Sequence, residues 1–387
     1  MQFKSGVTVL LVVLSVLVLY GCSVKNEKGT GGEDQTPVDI MQQTSDAGNV
    51  VTTKQEPGSL VDITQQASDP DQAFSDQTAD GGYFGEGEEK ILDEAAWVVY
   101  WDDEDYVKKL SEKSFDPQII CEFEAYFDGE YKILKEERVE DQFKALKALP
   151  EMADRKFYLT FVNDLVSEGQ SSQKDTGLLY ELLKDPERHA GDVIDAAKED
   201  GYDGIEIDYE KIRDDLKLWD MFIAFEEELI KEAEKENLPL RIVLEPSTPV
   251  DKIDLPEGPE YVVMCYNLYG YGTEPGPKAD RDFLIGLCEK FEPLSDNLGF
   301  AFANGGFDWN LTKGTIEPLT DLKGRELMKA FGKEADRDEK SKTLTFTYEK
   351  GQEKHEVYFA DDKTLAFWAE VIYEQTGKKV RMNLWRI

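Results

Sequence analysis

From about Glu89 onward, short apolar runs rich in β-branched and aromatic residues alternate with longer stretches whose apolar residues recur at helical spacing. Strand side chains alternate between two faces and helical ones return about every 3.6 residues, so this texture predicts βα units feeding a parallel sheet. The predicted strands are Ala96–Trp101, Gln118–Tyr126, Phe157–Asn163, Gly204–Glu210, Leu240–Glu245, Tyr261–Tyr266, Leu298–Ala303 and Val380–Trp385. Between them, Leu218, Phe222, Phe225 and Leu229 share one helical face, as do Leu365, Trp368 and Ile372. Eight strands in about 300 residues fit an α/β fold of the TIM-barrel type, (β/α)8, with an open doubly wound sheet as the alternative. A modest insertion is expected between strands 7 and 8, where Asn310–Asp361 holds a helix-like Gly324–Phe331 and a hairpin-like Thr343–Phe359.

The N-terminal part reads differently. Lys4 precedes an apolar run from Val7 to Tyr20 that is short for a membrane span and ends at Gly21-Cys22. Leu19-Tyr20-Gly21-Cys22 resembles the lipobox of bacterial lipoproteins. That resemblance implies a signal peptide over 1–21, lipidation of Cys22, and display outside the cytoplasm, anchored to a bacterial membrane. Residues 22–88 are rich in Gly, Ser, Thr, Gln, Asp and Glu and poor in core formers, so a disordered tether is expected there. Within it Val38–Asp46 is echoed by Val61–Asp69, a degenerate repeat too short and polar for a solenoid. The barrel itself is assigned to 89–387.

Charge and composition then narrow the chemistry. The chain carries 44 Lys and Arg against 81 Asp and Glu, a formal charge of -37, which offers no basic footprint to nucleic acid or to anionic lipid headgroups. His189 and His355 are the only histidines, so a multi-histidine metal cage is excluded and a Ser-His-Asp set has almost no candidates. No metal or cofactor is expected. Beyond Cys22, the odd set Cys121, Cys265 and Cys288 lies in apolar or helical runs and reads as buried thiols rather than a disulfide framework. Hydrolytic chemistry in such a chain falls to carboxylates.

The stretch Tyr202-Asp203-Gly204-Ile205-Glu206-Ile207-Asp208-Tyr209-Glu210 has period two. In a barrel strand Ile205, Ile207 and Tyr209 turn to the helices, and Glu206, Asp208 and Glu210 point inward. Glu210 then stands at the C-terminal mouth, where barrel active sites lie, with Asp208 and Glu206 successively deeper. Stacked inward carboxylates raise at least one pKa, as a general acid near neutral pH requires.

Asp203–Glu210 resembles the DGxDxDxE signature of glycoside hydrolase family 18, the chitinases and endo-β-N-acetylglucosaminidases. The resemblance continues in Met264-Cys265-Tyr266-Asn267, in Gly299-Phe300-Ala301-Phe302 and in Trp385. Pro275–Ala279 and Glu356–Phe359 look like the branch acting on spore and cell-wall peptidoglycan. It implies a retaining glycosidase in which Glu210 protonates the glycosidic oxygen and the substrate's own 2-acetamido oxygen attacks the anomeric carbon. Asp208 would orient the acetamido group, Tyr266 would hydrogen-bond its oxygen, and Trp385 would form the floor under the sugar. Asp203, Glu206 and Asn267 are carried over from the matched motifs as substrate-binding positions. Trp101, at the end of the first predicted strand, is a candidate for sugar stacking, as are Tyr100 and Trp309. Glu206 departs from the family's aspartate by one methylene and could still share a proton with Asp208.

The partner so implied is an N-acetylglucosamine polymer such as chitin, peptidoglycan or an N-glycan, bound by a monomer. Two other classes compete: a lectin-like binder on the same barrel, and a two-lobed substrate-binding lipoprotein of a transporter, which leaves the three carboxylates unexplained.

Overall fold

A computed structural model of the protein describes residues 90–100, 115–135, 137–167 and 170–386. The signal segment, Cys22, the tether and Trp101 lie outside the described residues. The chain begins with β1 (Ile91–Val99), β2 (Ile119–Asp128), β3 (Ile133–Lys135), α1 (Glu137–Lys147), β4 (Lys156–Ser167), β5 (Gln170–Ser172), α2 (Thr176–Leu182) and α3 (Pro186–Asp200). It continues through β6 (Gly204–Asp208), α4 (Leu216–Glu236), β7 (Leu240–Leu244), β8 (Glu260–Met264), α5 (Arg281–Lys290) and β9 (Leu298–Ala303). Next come β10 (Gly305–Asn310), β11 (Thr315–Leu319), α6 (Asp321–Phe331), β12 (Asp336–Arg337), β13 (Leu344–Lys350), β14 (Glu353–Ala360), α7 (Asp362–Thr376) and β15 (Val380–Trp385).

Strands β1, β2, β4, β6, β7, β8, β9 and β15 pair in parallel in that order, and β15 closes on β1. The result is a closed eight-stranded barrel, which excludes the open sheet and the two-lobed transporter protein. An aspartate caps α2, α3, α4, α5 and α7 through its side chain: Asp175, Asp185, Asp215, Asp280 and Asp361 each accept a backbone N–H of the first turn. Part of the acidic excess is therefore spent on helix starts, where a carboxylate meets orphan donors and the positive end of the dipole.

Two apolar clusters follow from the strand alternation. One lies between strands and helices and includes Ile205, Ile207, Tyr209, Phe222, Phe225 and Trp368; the other fills the barrel with Trp97, Cys121, Tyr158, Val243, Met264 and Trp385. Cys121, Cys265 and Cys288 are free and buried, and burial pushes each thiol up, so none is a poised nucleophile.

The insertion is larger than expected. It is a second, antiparallel sheet ordered β11-β10-β14-β13-β12, in which β10 and β11 were not anticipated. Gly305 and Gly306 are what permit β10: a Cβ would sit 2.0 Å from the Leu319 carbonyl at the first and 1.9 Å from the Tyr358 carbonyl at the second. Trp309 belongs to this sheet, buried edge-on against Phe307 and Tyr358, so it is packing rather than an open sugar platform.

One buried acid outside the barrel mouth carries a stability prediction. Glu226 of α4 is fully buried, with Oε2 3.1 Å from the Tyr261 hydroxyl and Oε1 unpartnered, and burial raises its pKa to about 8. Unfolding frees it to ionise near its ordinary value, so its penalty is absent below about pH 4.5 and grows as pH rises towards 8. Glu226→Gln is expected to stabilise the fold by roughly 1–3 kcal/mol at pH 7.5 and by much less at pH 5. Urea unfolding at the two pH values checks this; an equal gain at both would count against it.

Candidate active site

The local sequence places the site. Gly204 opens β6 with no side chain because the Tyr158 ring lies where a Cβ would come within 2.5 Å. Ile205 and Ile207 then pack outward, and the Tyr209 hydroxyl meets His189 Nε2 at 2.8 Å among the helices. Burial lowers His189 to about 3, so it is a neutral core residue. Glu206, Asp208 and Glu210 face inward as the alternation requires, though the strand ends at Asp208 and Glu210 lies just beyond it.

Glu210 is 8% exposed and held through its backbone: its N–H donates to Asn163 Oδ1 at 2.9 Å, and Asn163 Nδ2 donates to its carbonyl at 3.1 Å. Its carboxylate accepts a hydrogen bond from Lys174 Nζ at 2.5 Å. Burial raises Glu210 to about 7, against the opposing pull of the Lys174 ammonium and with further upward push from Glu245. Asp208, one step deeper, is raised well above the carboxylate range by burial and then by Glu210, and its Oδ1 is buried without a partner. These two acids line a cleft with Phe123, Tyr126, Asn163, Lys174, Tyr266 and Trp385. Trp385 closes β15 at the cleft, its ring edge-to-face with Phe123 at 5.0 Å and Trp97 at 5.9 Å.

Three expectations need correction. Glu206 has no exposed surface, and both its oxygens are engaged: Oε1 accepts from Trp97 Nε1 at 2.5 Å and Thr160 Oγ1 at 2.8 Å, Oε2 from Arg241 Nε at 2.9 Å and Cys121 Sγ at 3.5 Å. The extra methylene carries its carboxylate sideways to Arg241, its register partner on β7, so it neither shares a proton with Asp208 nor reaches a sugar. Asp203 precedes β6 at the opposite, N-terminal end of the barrel, where it accepts the Phe157 N–H at 3.1 Å and pairs with Lys156 at 3.7 Å. It is structural. Asn267, in the left-handed region at φ 74°, is half-buried and lies outside the lining of the cleft.

Sequence reasoning missed Asn163, Lys174 and Arg241. Asn163 ends a predicted strand, and a polar residue at the C-terminal end of a barrel strand is a signal that could have found it. Lys174 sits in a polar loop that carries no such signal. No group of three or more potential metal ligands occurs among the described residues.

Barrel and cleft together define a (β/α)8 protein with two buried carboxylates at the mouth. Its fold is that of the chitinase-like and spore cortex-lytic glycosylases. The Bacillus megaterium spore cortex-lytic enzyme SleL superposes with a TM-score of 0.61 at 17% identity, over 76% of this chain and 70% of that one. A chitinase from Chromobacterium violaceum gives 0.63 at 15% identity, over 76% and 94%. A variant of the tobacco class V chitinase in complex with NAG4 gives 0.56 at 11% identity, over 76% and 93%. By sequence alone, no protein-family model and no curated protein matches the chain. Likeness at these identities fixes the fold alone.

Proposed function

We propose that the protein is a glycosidase that cleaves β-1,4 bonds next to N-acetylglucosamine with retention of configuration, and that Cys22 anchors it to the outside of a bacterial membrane. The observation that carries this reading is the pair Asp208 and Glu210: two buried acids at the mouth of a chitinase-like barrel, one raised to about 7 and one higher still. Glu210 gives its proton to the leaving oxygen. Asp208, with Oδ1 unpartnered, receives the acetamido N–H and steadies the cation formed when the acetamido oxygen closes on the anomeric carbon. Tyr266 and Trp385 also line the cleft and supply a hydroxyl and an apolar floor. No enzyme nucleophile is required.

The test is turnover of chitin oligomers and of peptidoglycan, with the anomer followed by NMR in the first minutes. The expected product is the β-anomer, and glucose oligomers, lacking the acetamido group, should be inert. An inverted product, or equal turnover of glucose oligomers, would sink the mechanism; binding without turnover of any polymer would favour the lectin-like reading.

The sign of the pH dependence follows from Glu210. The acid works only while protonated, so kcat/KM is expected to fall as pH rises through about 7. A profile still level at pH 9 would remove Glu210 from the role of acid.

A further inference from the structure

A general acid must carry a proton when the substrate is in place, yet in the free protein an ammonium is hydrogen-bonded to it. Lys174 is 8% exposed and lies inside the cleft, its Nζ 2.5 Å from Glu210 Oε2. This placement is built. Its N–H donates to Asp164 Oδ1 at 2.7 Å, and the next N–H, of Asp175, donates to the Asn163 carbonyl at 2.7 Å. Asp175 also accepts from Ser172 Oγ at 2.7 Å and caps α2. Lys174 itself is held at φ 51°, a left-handed conformation uncommon for a residue with a side chain. Asn163 therefore fixes both partners, gripping the Glu210 backbone with its side chain and the Lys174 loop with its carbonyl. The backbone is pinned, and only the flexible four-carbon side chain has to move for the ammonium to leave.

We propose that Lys174 is a latch on Glu210: its ammonium pairs with the carboxylate in the free protein and is displaced when an oligosaccharide fills the cleft, so that substrate binding itself loads the acid with its proton. The idea rests on the reading of Glu210 as proton donor. The ionisable groups near Glu210 include Asp164 from β4, Lys174 from the following loop, Asp208 from β6, Lys211 next to Glu210 in the chain with its Nζ 3.4 Å from the Gln173 carbonyl, Glu245 beyond β7 and Tyr266 beyond β8. Of these Lys174 is the cation hydrogen-bonded to the Glu210 carboxylate. Once it leaves, Glu210 is buried beside Asp164, Asp208 and Glu245, and burial together with these acids disfavours its charge. A proton then moves from solvent to the Glu210 carboxylate, while Lys174 stays protonated in water; no other reactant is needed. Lys174 is thus a positioning residue that acts through Glu210 and ties the acid's protonation to the arrival of substrate.

The experiment uses the full chain, with Lys174→Met and Lys174→Arg, and a sulfur-linked N-acetylglucosamine tetramer that binds without being cleaved. Calorimetry at pH 8 in two buffers of different ionisation enthalpy counts the protons taken up per ligand. The wild type and Lys174→Arg are expected to take up close to one proton, and Lys174→Met close to none, with binding of the latter at least about tenfold tighter because nothing has to be displaced. Equal uptake by all three, or weaker binding by Lys174→Met, would overturn the latch and assign the lysine a structural or sugar-contacting role. A second readout needs no ligand: the infrared carboxyl band assigned with Glu210→Gln should titrate at least about two pH units higher in Lys174→Met than in wild type. An unmoved midpoint overturns the proposal. A shifted midpoint with no tetramer binding supports the ion pair while refuting the glycan reading, so the two failures are separable.

Discussion

Glu210→Gln is expected to lower hydrolysis of N-acetylglucosamine oligomers by about 10²–10⁴-fold while leaving their binding at least as tight as in wild type. The amide keeps the shape of the side chain and its fit beside Asn163, because Asn163 grips the Glu210 backbone rather than the carboxyl. What it removes is the transferable proton and the charge that holds Lys174. The loss should appear in kcat, since the interaction removed is made in the transition state, and the alkaline limb near pH 7 should vanish from the residual activity. Asp208→Asn should lose comparably in kcat, because the amide no longer accepts the acetamido N–H with a charge that steadies the cation. Steady-state kinetics on a chromogenic oligomer decide the matter. A Glu210→Gln rate within about threefold of wild type would move the acid elsewhere in the cleft.

The residues that announce this site are those whose spacing alone has structural meaning. Period two in Ile205–Glu210 is enough to turn three carboxylates inward, and the barrel topology is enough to put the last of them at the mouth. Depth was legible as well: Glu210 lines the cleft and Glu206 lies beneath it with no exposed surface. The partners of each carboxylate were not. Glu206 meets Arg241 because β6 and β7 are register neighbours, a relation between residues 35 positions apart. The Lys174–Glu210 pair depends on a loop whose left-handed residue is a lysine, where sequence habit looks for glycine or asparagine. Asp203 shows the converse error, since membership of a motif placed it near the substrate while its position before β6 puts it at the far end of the barrel. In the insertion, Gly305 and Gly306 concealed a strand because only backbone contact with Leu319 and Tyr358 reveals why both are glycine.

The other large effect expected is on stability. Arg241→Met should destabilise the fold by about 3–5 kcal/mol, because it strips the countercharge from acids that water cannot reach. Arg241 is 1% exposed and spans the barrel interior: Nε to Glu206, one terminal nitrogen to Glu260 at 2.9 Å, the other to Asn383 at 2.9 Å, with the guanidinium 5.9 Å from the centre of the Trp97 ring. Glu260 in turn lies 3.1 Å from Arg381, which also pairs with Glu94 at 2.6 Å, so the lower barrel is a chain of alternating charges. Burial has already raised Glu260 to about 7, and removing Arg241 takes away the largest influence holding it down. The denaturant midpoint of Arg241→Met should therefore recover as pH falls below 7, when Glu260 can be neutralised by a proton. Adding Glu206→Gln to Arg241→Met should restore part of the loss, since the amide can still accept from Trp97 and Thr160 without a charge to compensate. Additive losses in the double variant would mean that Glu206 and Arg241 are not coupled. Coupling at the base with an unchanged alkaline limb in Glu206→Gln would separate the two levels of the barrel: charge pairing below sets the frame, and Glu210 above answers to Lys174, Glu245 and Asp164 instead.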